Sequence, residues 1–479
     1  MALQFEHTYM QLNAQLYSVC YPTRVSSPRL IVWNAALAKD LRIHKQETDI
    51  DELTAIFSGN KIVGGSTPIA QAYAGHQFGQ FNRLGDGRAL LLGELLSGGN
   101  FRFDVQLKGS GITPYSRRGD GRATLSSMLR EYMMSEALFA LKIPTTRSLA
   151  VVATGEKVYR NEFQDGAVLT RIAASHIRVG TFEYAARFCD VQTLLDLCNY
   201  SIDRHFPEVQ HAPNKPLGLL RAVMLRQVDL IVHWLRVGFI HGVMNTDNMS
   251  LSGETIDYGP CAFLNAYKPE TVFSSIDVGG RYAFGNQPAI AHWNLTRLAA
   301  SLLPIVHVNS DQAIALVTEV LNDYQSEFQN KYQHMFVGKI GFSEPTEIAT
   351  KLINELLGWM YQNNADYTNT FVKLMYEHAI TDTVYEHAEF VNWKKRWQIE
   401  IASYDDALKI MQQSNPVIIP RNQMVEDVLT QTIQSGSSAE LLKYIDVLSL
   451  PYMFDENNTS YMNAPLATFD EHYKTYCGT

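Results

Sequence analysis

The sequence predicts an α+β chain in which a small sheet-rich lobe precedes a larger, mainly helical one. Three observations predict it: two adjoining strand patterns between residues 89 and 109, a strong amphipathic helix pattern over 219–238, and helical periodicity from about residue 290 to the end. Residues 1–60 mix short apolar runs with polar breaks and read as an N-terminal extension packed on a core. Residues 61–190 are assigned to the sheet-rich lobe and 191–479 to the helical one.

Each element has its own signal. ALLLGELL (89–96) and FRFDVQLKG (101–109) read as strands joined by the turn Ser97-Gly98-Gly99-Asn100. The second alternates, with Phe101, Phe103, Val105 and Leu107 on one face and Arg102, Asp104, Gln106 and Lys108 on the other. Thr124 is placed as a helix N-cap, followed by the apolar stripe Leu125, Met128, Leu129, Tyr132 and Met133. Strands return near 148–160 and 166–173. From about 190 the pattern turns helical, and Gly238 marks the stop of the strongest helix. A loop-and-strand stretch over 239–264 separates it from the later helices.

Composition narrows the function classes. With 46% hydrophobic and 19% charged residues, the 479-residue chain has the balance of a soluble globular protein. A formal net charge of -9 argues against a broad nucleic-acid surface. Five scattered cysteines, Cys20, Cys189, Cys198, Cys261 and Cys477, form no C-x-x-C pair, and H-E-x-x-H spacing is absent, which argues against zinc. The start MALQFEHTYMQLNAQ has neither a basic region nor an apolar core, and no stretch nears the roughly 20 apolar residues that cross a bilayer. A cytoplasmic protein without a membrane partner is expected.

The chemistry-bearing residues come in a recognisable order. Gly85-Asp86-Gly87-Arg88 runs into a strand, and such glycines let backbone amides approach phosphate oxygens while the arginine adds a fixed cation. A plain hairpin turn is the alternative. Lys108 lies on the polar strand face, with Glu131 on the following helix; in kinase-like folds this pairing holds a phosphate-gripping lysine. His241-Gly242-Val243-Met244-Asn245-Thr246-Asp247-Asn248 and Asp257-Tyr258-Gly259 then approximate H-x-D-x-x-x-x-N and D-x-G. Asn248 and Asp257 fall in register as metal ligands, but Val243 stands where the catalytic base belongs, and a carboxylate appears instead at Asp247. The residues leave two readings: a dead kinase, or a base relocated for a different transfer. Arg171, Arg178 and Asp120-Gly121-Arg122 add candidate phosphate contacts, each cation worth on the order of 4 kcal/mol at about 4 Å before desolvation.

The segments YAGHQFGQFNRLGDGRALLLGE (73–94), DVQLKGSGITPYSRRGDGRATLSSMLREYMMSEAL (104–138), HGVMNTDNMSLSGETIDYGPCAFLNAY (241–267) and GRYAFGNQPAIAHWNLTRLA (280–299) closely resemble the selenoprotein O family, through nearly the whole chain. The resemblance implies a protein-kinase-like two-lobed fold with an N-terminal extension and additional C-terminal helices. It implies ATP bound in an inverted orientation and AMP transferred to Ser, Thr or Tyr hydroxyls of protein partners, with pyrophosphate released. Gly85, Gly87, Arg88, Lys108, Asp120, Gly121, Arg171, Arg178 and Asp257 are then the implied ATP-binding set. Glu131 is the implied partner of Lys108, Asp247 the proton acceptor, and Asn248 and Asp257 the ligands of magnesium, with manganese as the alternative ion. Some members carry a cysteine near the C-terminus, which Cys477 matches; a regulatory thiol and a terminal thiol without a role both stay open. A γ-phosphate kinase and a non-catalytic nucleotide-binding scaffold are the rival functions.

Overall fold

The computed structural model describes residues 3–43 and 49–476, so Cys477 lies outside the described residues. It is a mixed α and β structure built on one antiparallel sheet. Its strands are β1 (Tyr17–Val19), β2 (Arg29–Trp33), β3 (Ile69–Gln71), β4 (Ala74–Gln77), β5 (Gln80–Arg83), β6 (Ala89–Leu96), β7 (Arg102–Lys108), β8 (Ala123–Thr124), β9 (Arg147–Tyr159) and β10 (Phe163–Ala173). The sheet runs β1-β3-β6-β7-β10-β9-β2, with β8 also paired to β10, while β4 and β5 form a separate hairpin.

The first sixty residues supply both edges of this sheet. Tyr17 pairs with Gln71 at one side and Arg29 with Ala153 at the other. Residues 20–28 cross between them, pinned by the amides of Thr23 on the Ser110 carbonyl (2.9 Å) and Ser27 on the Thr154 carbonyl (3.1 Å). Ten extended steps span at most about 33–36 Å, enough for six strand spacings of about 4.8 Å.

The alternation of β7 decides what each sheet face packs against. Val105 and Leu107 are buried beneath α1 (Ala35–Asp40) and α2 (Ile50–Phe57), in a core with Leu37, Phe57, Leu92, Leu149 and Val168. Each such side chain contributes roughly 1.5–3 kcal/mol when fully buried. The opposite face, Asp104, Gln106 and Lys108, is just as buried, at 2%, 0% and 6% exposure. It faces α3 (Leu125–Ala140), whose N-cap Thr124 accepts from the Ser127 amide at 3.3 Å. A polar strand face enclosed in this way must find every partner inside the protein.

Helical structure starts slightly earlier than its periodicity suggests, with α4 (Val179–Phe188) and α5 (Val191–His205). The central helix α6 (Lys215–Val237) carries a long apolar stripe, and α7 (Gln287–Val306) packs beside it. The short pair β11 (Phe239–Ile240) and β12 (Ala262–Phe263) frames the loop between them. Further helices from Ser310–Asn322 to Ala467–His472 complete one continuous apolar core with α3 and α6. No helix among the described residues is long and apolar enough to cross a membrane.

Gly238 closes α6 in the left-handed conformation, φ 77°, and the chain turns at once into β11. A Cβ there would meet Tyr367 at 3.0 Å and Leu264 at 3.3 Å. Gly238→Ala is therefore expected to lower unfolding stability by about 1–2 kcal/mol from the backbone alone, with the contacts adding to it. Urea unfolding of the variant beside the parent protein checks this.

Candidate active site

Lys108, at the end of β7, is the first fixed point. Its ammonium donates to Glu131 on α3 at 2.6 Å and to Asp257 at 2.6 Å. Asp257 reaches it because its own backbone is left-handed, φ 64°, a conformation a non-glycine residue holds only when its surroundings enforce it. Tyr258 does the enforcing: its buried hydroxyl sits 2.5 Å and 2.8 Å from the hydroxyls of Thr145 and Thr146 and donates to the Thr255 carbonyl at 2.7 Å. His241, also buried, ties the preceding residue through Nε2 to the Ile256 carbonyl at 2.8 Å.

Two arginines complete the cluster. Arg171 lies within β10, in register opposite Gln106 of β7. One terminal nitrogen donates to Asp257 at 2.7 Å and lies 3.4 Å from Glu131. Its other edge donates to Gln106 Oε1 at 3.2 Å and 2.6 Å. The Gln106 amide in turn donates to Asp86 at 3.2 Å, and Asp86 also accepts the Gln71 amide at 3.1 Å. Arg178, at the N-cap of α4, donates to the other Asp257 oxygen at 2.8 Å and to the Asp247 carbonyl at 2.5 Å, with its guanidinium 4.8 Å from the Tyr73 ring centre.

The electrostatics follow from this crowding. Burial alone would push the Asp257 carboxyl up, but Lys108, Arg171 and Arg178 outweigh it and hold it well below the usual range. Three cations converge on Glu131 and Asp257, with Asp86 and Asp247 acting on the same arginines, and they gather beside an Asp257 carboxylate that is about a fifth exposed. Burial pushes Asp86 to about 6, with Arg178 and Arg171 acting against it.

Asp247 sits in the short turn Thr246–Asn248 that follows Arg178's anchor. Burial pushes its carboxyl up to about 6, with Arg178 opposing. Its Oδ1 has no hydrogen-bond partner, and Gln77 reaches Oδ2 only at 3.5 Å. Gly75 on β4 lies directly against it, and a Cβ there would collide with the carboxylate. The turn is held from below: the Thr246 hydroxyl donates to Glu183 of α4 at 2.5 Å and accepts the His76 amide at 2.7 Å, while the His76 ring pairs with the same Glu183. Asn248 spends its amide on the Val243 carbonyl at 2.9 Å, and Val243 itself is a core residue at 4% exposure.

The structure thus brings together Lys108, Glu131, Arg171, Arg178, Asp247 and Asp257. Asn248 adjoins them through the same turn. Gly85 and Gly87 form the turn before β6, packed on Tyr115, and the Arg88 carbonyl accepts the Gly109 amide at 2.7 Å. Asp120 is bound by Arg160 at 2.9 Å and 3.1 Å, and Gly121 is wedged on the Gly111 backbone. Gln106, Asp86, Gly75 and Glu183 went unnoticed in the sequence. Gln106 had a signal, since it shares the Lys108 face of β7. The others offer none outside their tertiary contacts.

Among the described residues no cluster of three or more His, Cys, Asp and Glu side chains is placed to hold a metal ion. Asn248 and Asp257 are nonetheless an oxygen donor pair of the size magnesium takes from a protein when phosphates and water complete its shell.

The chain belongs to the SelO family of protein adenylyltransferases. The model of that family, described as protein adenylyltransferase SelO, matches residues 1–449. Among individual proteins, the chain is 49% identical to the protein nucleotidyltransferase YdiU of Anoxybacillus flavithermus, with 99% of both chains covered. It is 49% identical to YdiU of Nitrosococcus oceani, covering 99% of this chain and 97% of that one, and 47% identical to YdiU of Pelagibacter ubique, with 99% of both covered. The protein is a protein nucleotidyltransferase.

The raised pKa of Asp247 gives a stability test. A carboxyl shifted from 3.8 to about 6 on folding costs stability as pH rises through that window, because the folded state then carries a buried charge the unfolded chain holds in water. Asp247→Asn should therefore melt at a higher temperature than the parent protein at pH 8, with the gap closing near pH 4. Melting curves at both pH values check it.

Proposed function

We propose that the protein transfers AMP from ATP to Ser, Thr or Tyr hydroxyls of other proteins, in a kinase-like two-lobed arrangement with the nucleotide inverted. The observation that carries this reading is the pairing of converging cations, Lys108, Arg171 and Arg178, with a displaced base. Valine occupies the usual base position, and a buried carboxylate with an unpartnered Oδ1 lies at Asp247 instead.

In this reading Lys108, Arg171 and Arg178 exchange part of their hold on Asp257 for phosphate oxygens, with Gly85, Gly87, Arg88, Asp120 and Gly121 completing the nucleotide contacts. Arginine forks match phosphate geometry and hold the outer phosphates rather than releasing them. The acceptor oxygen forms a bond to the α-phosphorus, the bond to the bridging oxygen breaks, and pyrophosphate leaves. The hydroxyl proton passes to Asp247, whose value near 6 leaves it ionised at neutral pH yet able to hold a proton. Asn248 and Asp257 would hold magnesium, or manganese, which supplies charge neutralisation on the phosphates when bound. The free thiols of Cys20, Cys189, Cys198 and Cys261 support a reducing, cytoplasmic setting.

The deciding experiment uses ATP labelled at the α-phosphate in one sample and at the γ-phosphate in another, with magnesium and a cell lysate. Protein label from the α-position alone is expected; label from the γ-position alone would mean a kinase, and label from neither a binding scaffold. Asp247→Ala should cut α-label transfer by about 10²–10⁴-fold while ATP binding persists, as loss of a general base does. Chelation of divalent ions should abolish transfer in the parent protein.

A further inference from the structure

A second charged feature adjoins Asp247 through the hairpin that packs on it. The hairpin β4–β5 places Gly75 and Gln77 on Asp247, and the residue between them, His76, turns its ring into an aromatic row. The ring lies 5.3 Å from Phe81 and 5.4 Å from Trp293, and Phe81 lies 6.2 Å from Phe188. Four guanidinium groups rest on this row. Arg281 and Arg297 lie 4.8 Å and 5.1 Å from the Trp293 ring centre, Arg187 lies 4.6 Å from Phe81, and Arg83 lies 5.2 Å from Phe188. Arg83 and Arg187 are exposed; Arg281 and Arg297 are partly so.

None of the four makes a salt bridge among the described residues. The carboxylates on the same elements are committed elsewhere. Glu183 holds His76 and Thr246, Asp277 accepts the backbone amides of Arg281 (2.9 Å) and Tyr282 (2.7 Å), and Asp190 caps the Thr193 amide at 2.7 Å. The chain as a whole carries a charge of -9, so four arginines without a salt bridge among the described residues are a local concentration of positive charge near the base. Stacking on rings holds a guanidinium in place without neutralising it.

We infer that this arginine-and-aromatic surface is the docking site for the acceptor protein, and that it selects segments bearing Asp or Glu beside the target hydroxyl. The inference rests on Asp247 being the base toward which the hydroxyl is delivered. An extended segment advances about 3.3 Å per residue, so carboxylates within a few residues of the hydroxyl reach these arginines. The surface thereby gives the acceptor an orientation and attracts it from solution.

The test uses the full chain with ATP and magnesium, and two fluorescein-labelled peptides that share one tyrosine. Glutamates flank the tyrosine in the first and glutamines in the second. Fluorescence polarisation should show the glutamate peptide binding about tenfold more tightly at low salt, with the advantage shrinking as salt rises. Arg281→Gln and Arg297→Gln should each reduce that advantage by roughly 1.5- to 1.8-fold, as should Arg83→Gln and Arg187→Gln on the exposed rim, where substitution spares the core. ATP affinity, measured separately, is the control for folding of each variant. Equal binding of the two peptides, an advantage untouched by all four substitutions, or tighter binding of a single-stranded oligonucleotide than of the glutamate peptide would overturn the inference. Labelling of lysate proteins from α-labelled ATP, run in parallel, separates the two proposals. Label without peptide preference sinks only the docking surface, and preference without α-label sinks only the AMP-transfer reading.

Discussion

Everything around the site depends on the charge buried on one face of β7. Lys108 cannot be left there alone, because an unpaired ammonium in the interior costs several kcal/mol. Glu131 and Asp257 neutralise it, Arg171 and Arg178 then over-neutralise Asp257, and Gln106 and Asp86 hold Arg171 in line. A cluster of this kind is poor value as a stabiliser, since an apolar core of the same volume would serve as well or better. Its worth lies in holding cations ready for a ligand whose arrival needs little rearrangement.

The division of labour between backbone and side chains is clear in the two acids. Asp257 is held by backbone strain and three cations, so its carboxyl stays ionised in the folded protein. Asp247 has burial without equivalent compensation, which pushes its carboxyl up to about 6. Ten residues apart in sequence and joined by Arg178, they are tuned in opposite directions, as acid–base sites require.

Much of this was legible in the sequence. An apolar run placed β6, period-two alternation placed β7, the N-cap Thr124 and its stripe placed α3, and Gly238 marked the end of α6. Lys108, Glu131, Asp247 and Asp257 were legible because their chemistry recurs in a fixed order along the chain. What stayed hidden depends on contacts distant in sequence. Nothing local tells that the polar face of β7 is enclosed, that Asp86 orients Gln106, or that Glu183 supports a turn sixty residues onward. The pairing of Asp120 with Arg160 is equally invisible, since both read as ordinary loop charges.

The placement of the first sixty residues on both sheet edges has a consequence for biosynthesis. Arg29 finds its partner only at Ala153, so a ribosome adding about 5–20 residues per second exposes β2 for on the order of ten seconds before β9 exists. During that interval the apolar run Leu30-Ile31-Val32-Trp33 has no sheet to join. β2 is thus made early and closed late, and the nascent chain is one that a holding chaperone would recognise by its leading end.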